Sequence, residues 1–235
     1  MFEKADIKTS LCGHHRLQLD SPNGYTLVEL MVVVMIVVIL ATGVVFMFAN
    51  PSATVKTQAF NILGEINMAR SEAVSENQDV LIDFLQDVSE ECTEDDISKC
   101  SDAGDYDGYI ICLDDDAGGF CNTGDTIIRV TLFNEVVQFY DLASLGSTPA
   151  DGPSTDPNGV DLTAQDGIVL TADQLIMYSN GTCNQAGTVV IYLPETGNPG
   201  NIRGVPYAIV IESASTGRVQ VSRWHPESGG SWSSK

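Results

Sequence analysis

Leu30–Ala49 is an unbroken run of twenty residues without a charge, and a single acid, Glu29, stands at its entrance. An α-helix needs about twenty apolar residues to cross a bilayer core, so the run predicts a membrane-spanning helix. A carboxylate inside such a helix costs a few kcal/mol and calls for a partner or a function. The nearest available cation would be an α-amino group at Tyr25, which exists only if the chain is cut after Gly24. A cut there would place a free amine four residues before Glu29, at membrane depth.

Orientation follows from the basic residues. Lys4, Lys8 and Arg16 precede the span, whereas only Lys56 and Arg70 lie soon after it, so the N-terminus is expected to stay cytoplasmic and the rest to be exported. Residues 1–24 are polar and lack an apolar core, unlike a secretory signal that is cleaved behind its hydrophobic region. The formal charge of the whole chain is −21. In the first 24 residues the three cations cancel Glu3, Asp6 and Asp20, so the excess belongs to residues 25–235. An acidic surface repels phosphates and argues against nucleic acid as the main partner.

Past the span, Asn50-Pro51 predicts a break or kink, because proline removes a backbone donor and crowds the preceding turn. Val55, Ala59, Ile62, Ile66, Ala69 and Ala73 then recur at three- and four-residue steps, predicting an amphipathic helix that ends at Asn77. From Val80 the period becomes strand-like. Val80–Leu85, Tyr109–Leu113, Thr126–Phe133, Val136–Tyr140, Gly167–Leu170, Leu175–Tyr178, Thr188–Leu193, Tyr207–Glu212 and Arg218–Arg223 are short and rich in β-branched or aromatic residues. Turn clusters divide them, Thr196–Gly200 and Ser215–Gly217 among them, and Ser147–Asn158 reads as a loop insertion. The expectation is an α+β fold, one long helix packed on antiparallel sheets. Its divisions are a leader at 1–24, an apolar helix at 25–50, an amphipathic continuation at 51–78, a β-rich exported domain at 79–225 and a loose tail at 226–235.

Gly24-Tyr25-Thr26-Leu27-Val28-Glu29 resembles the processing site of type IV pilins and of the pseudopilins of type II secretion. Ile66-Asn67-Met68-Ala69-Arg70-Ser71-Glu72-Ala73-Val74 resembles the helix end of minor pseudopilin H and of FimT-like minor pilins. Gly108–Asp114, Gly124–Arg129 and Gly217-Arg218-Val219 resemble the paired strands and closing hairpin of those proteins. The resemblance implies a type IV pilin-like fold, cleavage after Gly24 by a prepilin peptidase and N-methylation of Tyr25. It implies that Glu29 neutralises the amine of a neighbouring subunit during assembly. The partners implied are other pseudopilins or pilins in a filament, with the chain anchored once in the bacterial inner membrane and its C-terminal domain periplasmic. The machine is read as a type II secretion pseudopilus; the alternatives are a minor pilin of a type IV pilus, or an exported domain that binds calcium or another ligand and merely uses this anchor. Against DNA uptake, Gln220 occupies the second arginine position of the basic motif after Gly217.

An exported domain meets an oxidising compartment, where thiols tend to pair. The short-range candidates are Cys92–Cys100 and Cys112–Cys121, and the odd count with Cys183 leaves one thiol over. No catalytic constellation stands out and no cofactor is called for. Asp114, Asp115 and Asp116 ahead of Gly118-Gly119, or Asp102, Asp105 and Asp107, are candidate calcium ligands because calcium takes hard oxygen donors. The spacing matches no EF-hand loop, and a solvated acidic loop is the plainer account of both groups.

Overall fold

In the computed structural model, the described residues are 25–48, 51–133, 136–142, 148–149, 151–163, 165–195, 198–228 and 230–234. They fall into two units, the first ending at Phe48 and the second beginning at Ala49.

The first unit contributes helix α1, Leu27–Phe48. Its start is set by Thr26, whose hydroxyl accepts the Glu29 amide N–H at 3.2 Å and whose carbonyl accepts that of Leu30 at 3.1 Å. This is an N-cap, and it supplies an acceptor to an amide that the helix leaves unpaired. Glu29 is the only charged residue in α1. Among the described residues no helix is long and apolar enough to cross a membrane. The side chains of α1 are described only through Ala41, so the twenty-residue run read from the sequence extends beyond them.

The second unit opens with α2, Pro51–Glu76. Proline is at home there, since a first-turn residue has no helical acceptor for an N–H. The break expected at Asn50-Pro51 falls partly outside the described residues. Val55, Ala59, Ile62, Ile66, Ala69 and Ala73 are the buried residues of α2, the stripe that the spacing marked. The helix stops where Asn77 turns to φ 54° and the Gln78 amide reaches back to the Ala73 carbonyl at 3.2 Å. That is a Schellman stop built on an asparagine in the left-handed region.

Two antiparallel sheets pack on this stripe. The first has the order β3-β2-β1-β6, with β1 Val80–Val88, β2 Tyr106–Leu113, β3 Thr126–Leu132 and β6 Gln174–Met177. The second runs β12-β11-β10-β7-β4, with β5 also on β7. Its members are β4 Gln138–Phe139, β5 Ile168–Val169, β7 Gly187–Tyr192, β10 Tyr207–Ser213, β11 Arg218–His225 and β12 Ser231–Ser234. A separate hairpin pairs β8, Pro194–Glu195, with β9, Asn198–Ile202. The stripe of α2 meets the inner faces of both sheets in one core, which includes Ile82, Ile111, Val189 and Ile209. Phe84, Tyr109, Phe133 and Phe139 run through it as edge-on ring contacts with centroids 5.1–6.4 Å apart.

The outer faces are covered as well. Consecutive residues of β2 and β7 are buried, which their continuous apolar runs require: a sheet wet on one side would alternate. Over the first sheet lies the segment between β1 and β2, closed by the Cys92–Cys100 disulfide and packed with Ile97 against Ile110. Over the second, Tyr140, Leu142 and Leu162 cover Val190, Tyr192, Ala208 and Val210. Two stretches differ from expectation. In the Thr196–Gly200 turn cluster, Asn198, Pro199 and Gly200 belong to β9, and residues 196 and 197 lie outside the described residues. Residues 231–234, in the stretch expected to be a loose tail, form β12 against β11 with Trp232 opposite Trp224. The two indoles lie 5.3 Å apart and donate to the Thr155 and Asp151 carbonyls.

Candidate functional site

Tyr25 is 80% exposed and lies outside the helix, and α1 starts two residues later. Gly24 falls outside the described residues. Glu29 is exposed, and among the described residues it makes no ion pair. Every large apolar side chain described from Leu27 to Leu40 is likewise open, Ile39 at 69% for example. Among the described residues, α1 therefore presents open apolar side chains with one carboxylate in its first turn.

The acidic candidates resolve differently from the expectation. Asp114, Asp116 and Asp125 bring one oxygen each to within 4.8 Å of one another. Asp115 points elsewhere: it accepts the Thr126 amide at 2.7 Å and the Gln78 side-chain amide at 2.8 Å. These hydrogen bonds hold its carboxyl below the usual carboxylate range. The expected trio of Asp114, Asp115 and Asp116 is therefore corrected to Asp114, Asp116 and Asp125. Asp125 accepts the Asp115 and Asn122 amides at 3.0 and 2.9 Å, and Asp116 those of Gly118 and the Asn122 side chain. The loop that carries them is tied at its base by the Cys112–Cys121 disulfide. Three converging carboxylates have the chemistry of a hard-cation ligand set, but the hydrogen bonds account for Asp116 and Asp125 as turn-forming acids.

The second group does not converge. Asp102 pairs with Lys99 at 3.3 Å. Asp107 turns inward and accepts the Phe139 and Asp87 amides at 2.7 and 3.2 Å, joining β2 to β4 of the other sheet. Burial pushes its carboxyl up to about 6, with Asp87 and Asp141 adding repulsion. Asp125 was missed as a partner of Asp114 because it is the pairing of Leu113 with Thr126 across β2 and β3 that brings it near. Asp107 was missed as an inter-sheet tie because its acceptor role depends on a strand thirty-two residues away.

Other chemistry is spoken for. Cys183 is buried and unpaired, its thiol donating to the Gln185 carbonyl at 3.2 Å, and burial pushes it up from its ordinary value. His225, the only histidine among the described residues, shares a hydrogen bond with Ser233 at 2.6 Å. Arg218, the arginine of the closing hairpin, is bound to Glu212 at 3.0 Å.

The fold and the apolar N-terminal helix define a pilin-like protein, and comparison with known families agrees. Residues 21–45 match the prokaryotic N-terminal methylation motif. Residues 58–225 match the type II transport protein GspH. The chain belongs to the GspH family, and with it to the pilin-like pseudopilins of type II secretion. Members of that class are structural subunits that associate with other pilins or pseudopilins. No curated protein and no solved structure matched the chain.

Proposed function

We propose that this chain is a minor pseudopilin, a non-catalytic subunit of the short pseudopilus that drives type II secretion. In this reading a prepilin peptidase cuts after Gly24, Tyr25 becomes the methylated terminus, and Leu30–Ala49 holds the protein in the inner membrane with its domain in the periplasm. During assembly the same run leaves the lipid and is covered by the stems of its neighbours. The observation that carries this is the position of Glu29. It is the only charge on α1 and lies in its first turn, four residues after the terminus that the cut would create. A buried carboxylate is costly alone and tolerable when matched, and the α-amino group of an adjoining subunit is the cation that processing makes available. That pairing fixes the axial register of one stem against the next.

The methylation motif would serve a type IV pilus equally well, and the GspH match over the domain is what favours the secretion machine. The test is substitution of Glu29 by alanine in cells that assemble the filament. Glu29→Ala is expected to be inserted and processed at Gly24 as in the wild type but to be poorly incorporated. Normal incorporation would contradict the mechanism. Co-purification with secretion rather than pilus subunits assigns the machine.

A further inference from the structure

Charge is spread unevenly over the chain. It has 32 acids against 11 lysines and arginines, yet no acid falls in residues 30–64, 198–211 or 213–226. Those stretches supply the first half of α2, all of β9 and β11, and β10 except Glu212. Four cations stand in them: Lys56, Arg203, Arg218 and Arg223. Arg218 is held by Glu212. The other three make no ion pair among the described residues, and the Nε of Arg223 is buried with no acceptor there.

The fold gathers Lys56, Arg203 and Arg223 at one end of the domain. Gly204, next to Arg203, packs on the first turn of α2: a Cβ added there would lie 3.1 Å from the Ser52 amide nitrogen and hydroxyl. Lys56 follows Ser52 by one turn on the same flank of the helix. That flank faces β10 and β11, because Arg70, about five turns along α2 from Ser52, lies against Gly217 at the other end of their hairpin. Arg223 stands opposite Tyr207 at the start of β10, back at the end where Gly204 meets α2. Burial pushes the Tyr207 phenol up, and the Arg223 charge offsets part of that push. Lys56 and Arg203 are exposed and Arg223 is half-buried.

The same end is where the chain arrives from its apolar run. α2 begins at Pro51, two residues past Ala49. Lys56 lies about 8 Å along it, at 1.5 Å of rise per residue, which is inside the Debye length of about 10 Å at 0.1 M salt. We propose that Lys56, Arg203 and Arg223 form a basic edge that rests the domain on the anionic phospholipid headgroups of the membrane holding it. This rests on the reading of Leu30–Ala49 as a membrane anchor and adds to it a lipid class and a contact surface. The bilayer is the anionic surface that the anchor keeps within reach. A chain of net charge −21 is otherwise repelled by such a surface, so the repulsion and the basic edge select one orientation. Each cation near an anionic bilayer strengthens the contact about fivefold, and the three together favour this edge on the order of a hundredfold. The contact belongs to the membrane-held subunit and ends when the stem is withdrawn.

The test reconstitutes the full chain in vesicles of phosphatidylcholine, alone or mixed two to one with phosphatidylglycerol, each with a trace of dansyl-headgroup lipid. Trp224 and Trp232, the only tryptophans of the chain, face each other across β11 and β12 beside Arg223 and serve as energy donors. Tryptophan-to-dansyl transfer is expected to be about twofold higher or more in the anionic vesicles. It is expected to return to the neutral-vesicle level at 1 M salt, where the Debye length is about 3 Å. The triple variant Lys56→Gln, Arg203→Gln, Arg223→Gln is expected to show no gain from the anionic lipid. Should the Arg223 change lower the thermal midpoint, the double variant Lys56→Gln, Arg203→Gln decides instead and is expected to lose at least half of the gain. Equal transfer in the two vesicles, or a gain untouched by salt or by the substitutions in a folded variant, overturns the proposal. So does a gain abolished by inorganic phosphate at constant ionic strength, which assigns the edge to a free anion. A gain that appears only with other pilin-like subunits present assigns it to a protein and overturns the lipid contact as well. A wild-type chain that fails to float with the neutral vesicles overturns the anchor reading beneath it.

Discussion

Asp107→Asn should change how the stability of the domain depends on pH. The Asp107 carboxylate lies between the two sheets and is 8% exposed. It accepts amides from Asp87 and Phe139, and burial outweighs those bonds to push the group up to about 6 from an ordinary 3.8. At 1.36 kcal/mol per pH unit this gap corresponds to about 3 kcal/mol. The folded protein holds the proton more tightly than the unfolded chain. The contribution is therefore fully present below pH 3.8, falls as pH rises through the window from 3.8 to about 6, and is lost above it. Asparagine carries no such proton. Its one oxygen serves only one of the two amides, which lowers stability by about 1–3 kcal/mol at every pH but adds no slope. Urea unfolding of the full chain in mild detergent, followed by the fluorescence of Trp224 and Trp232, reads both effects. With an m-value of roughly 2 kcal/mol per molar, the midpoint of the variant relative to wild type should rise by about 1–1.5 M between pH 4 and pH 7. Other carboxyls are common to both proteins and cancel in the difference. A difference that is flat, or that falls with pH, would refute the assignment of a buried, charge-burdened Asp107.

Ile62 is 1% exposed on the buried stripe of α2, so Ile62→Ala should lower stability by about 2–5 kcal/mol, seen as a lower urea midpoint with unchanged slope. Replacing Cys92 and Cys100 together by serine opens a loop with a sequence separation of 8. Chain entropy puts the loss at roughly 2–3 kcal/mol, and proteolysis should then cut first between β1 and β2. Arg129→Ala removes a pair whose arginine is half exposed. It should change stability by less than about 1 kcal/mol, and by less still at high salt.

The helical half of the fold was legible because its signal is local. A three- and four-residue spacing of small and branched apolar residues over Val55–Ala73 can hardly be read otherwise, and Asn77 is a residue that tolerates the left-handed turn which stops α2. The strands with continuous apolar runs, β2 and β7, were legible for the same reason. The β8–β9 hairpin was not, because Asn198-Pro199-Gly200 has turn chemistry; a proline is tolerated in β9 because that strand pairs on one side only. The tail reads as loose from its glycines and serines. What orders β12 is Trp232, which packs at a tilt against Trp224 and donates to a carbonyl in a loop seventy-seven residues away. The acidic site was half legible for a related reason. A run of three aspartates shows where charge concentrates, but Gln78 and Thr126 take Asp115 out of it and the β2–β3 register brings Asp125 in. The proposed N-terminal site rests on consecutive residues, Gly24 to Glu29, and on no tertiary contact.

The central claim is that a buried acid at the head of an apolar stem is matched by an amine that only proteolysis creates. Intact-mass and fragment analysis of the protein recovered from its membrane addresses this most directly. The account predicts a polypeptide that begins at Tyr25 and carries one methyl group on its α-amine. A polypeptide that still carries Gly24, or any residue ahead of it, would contradict the account.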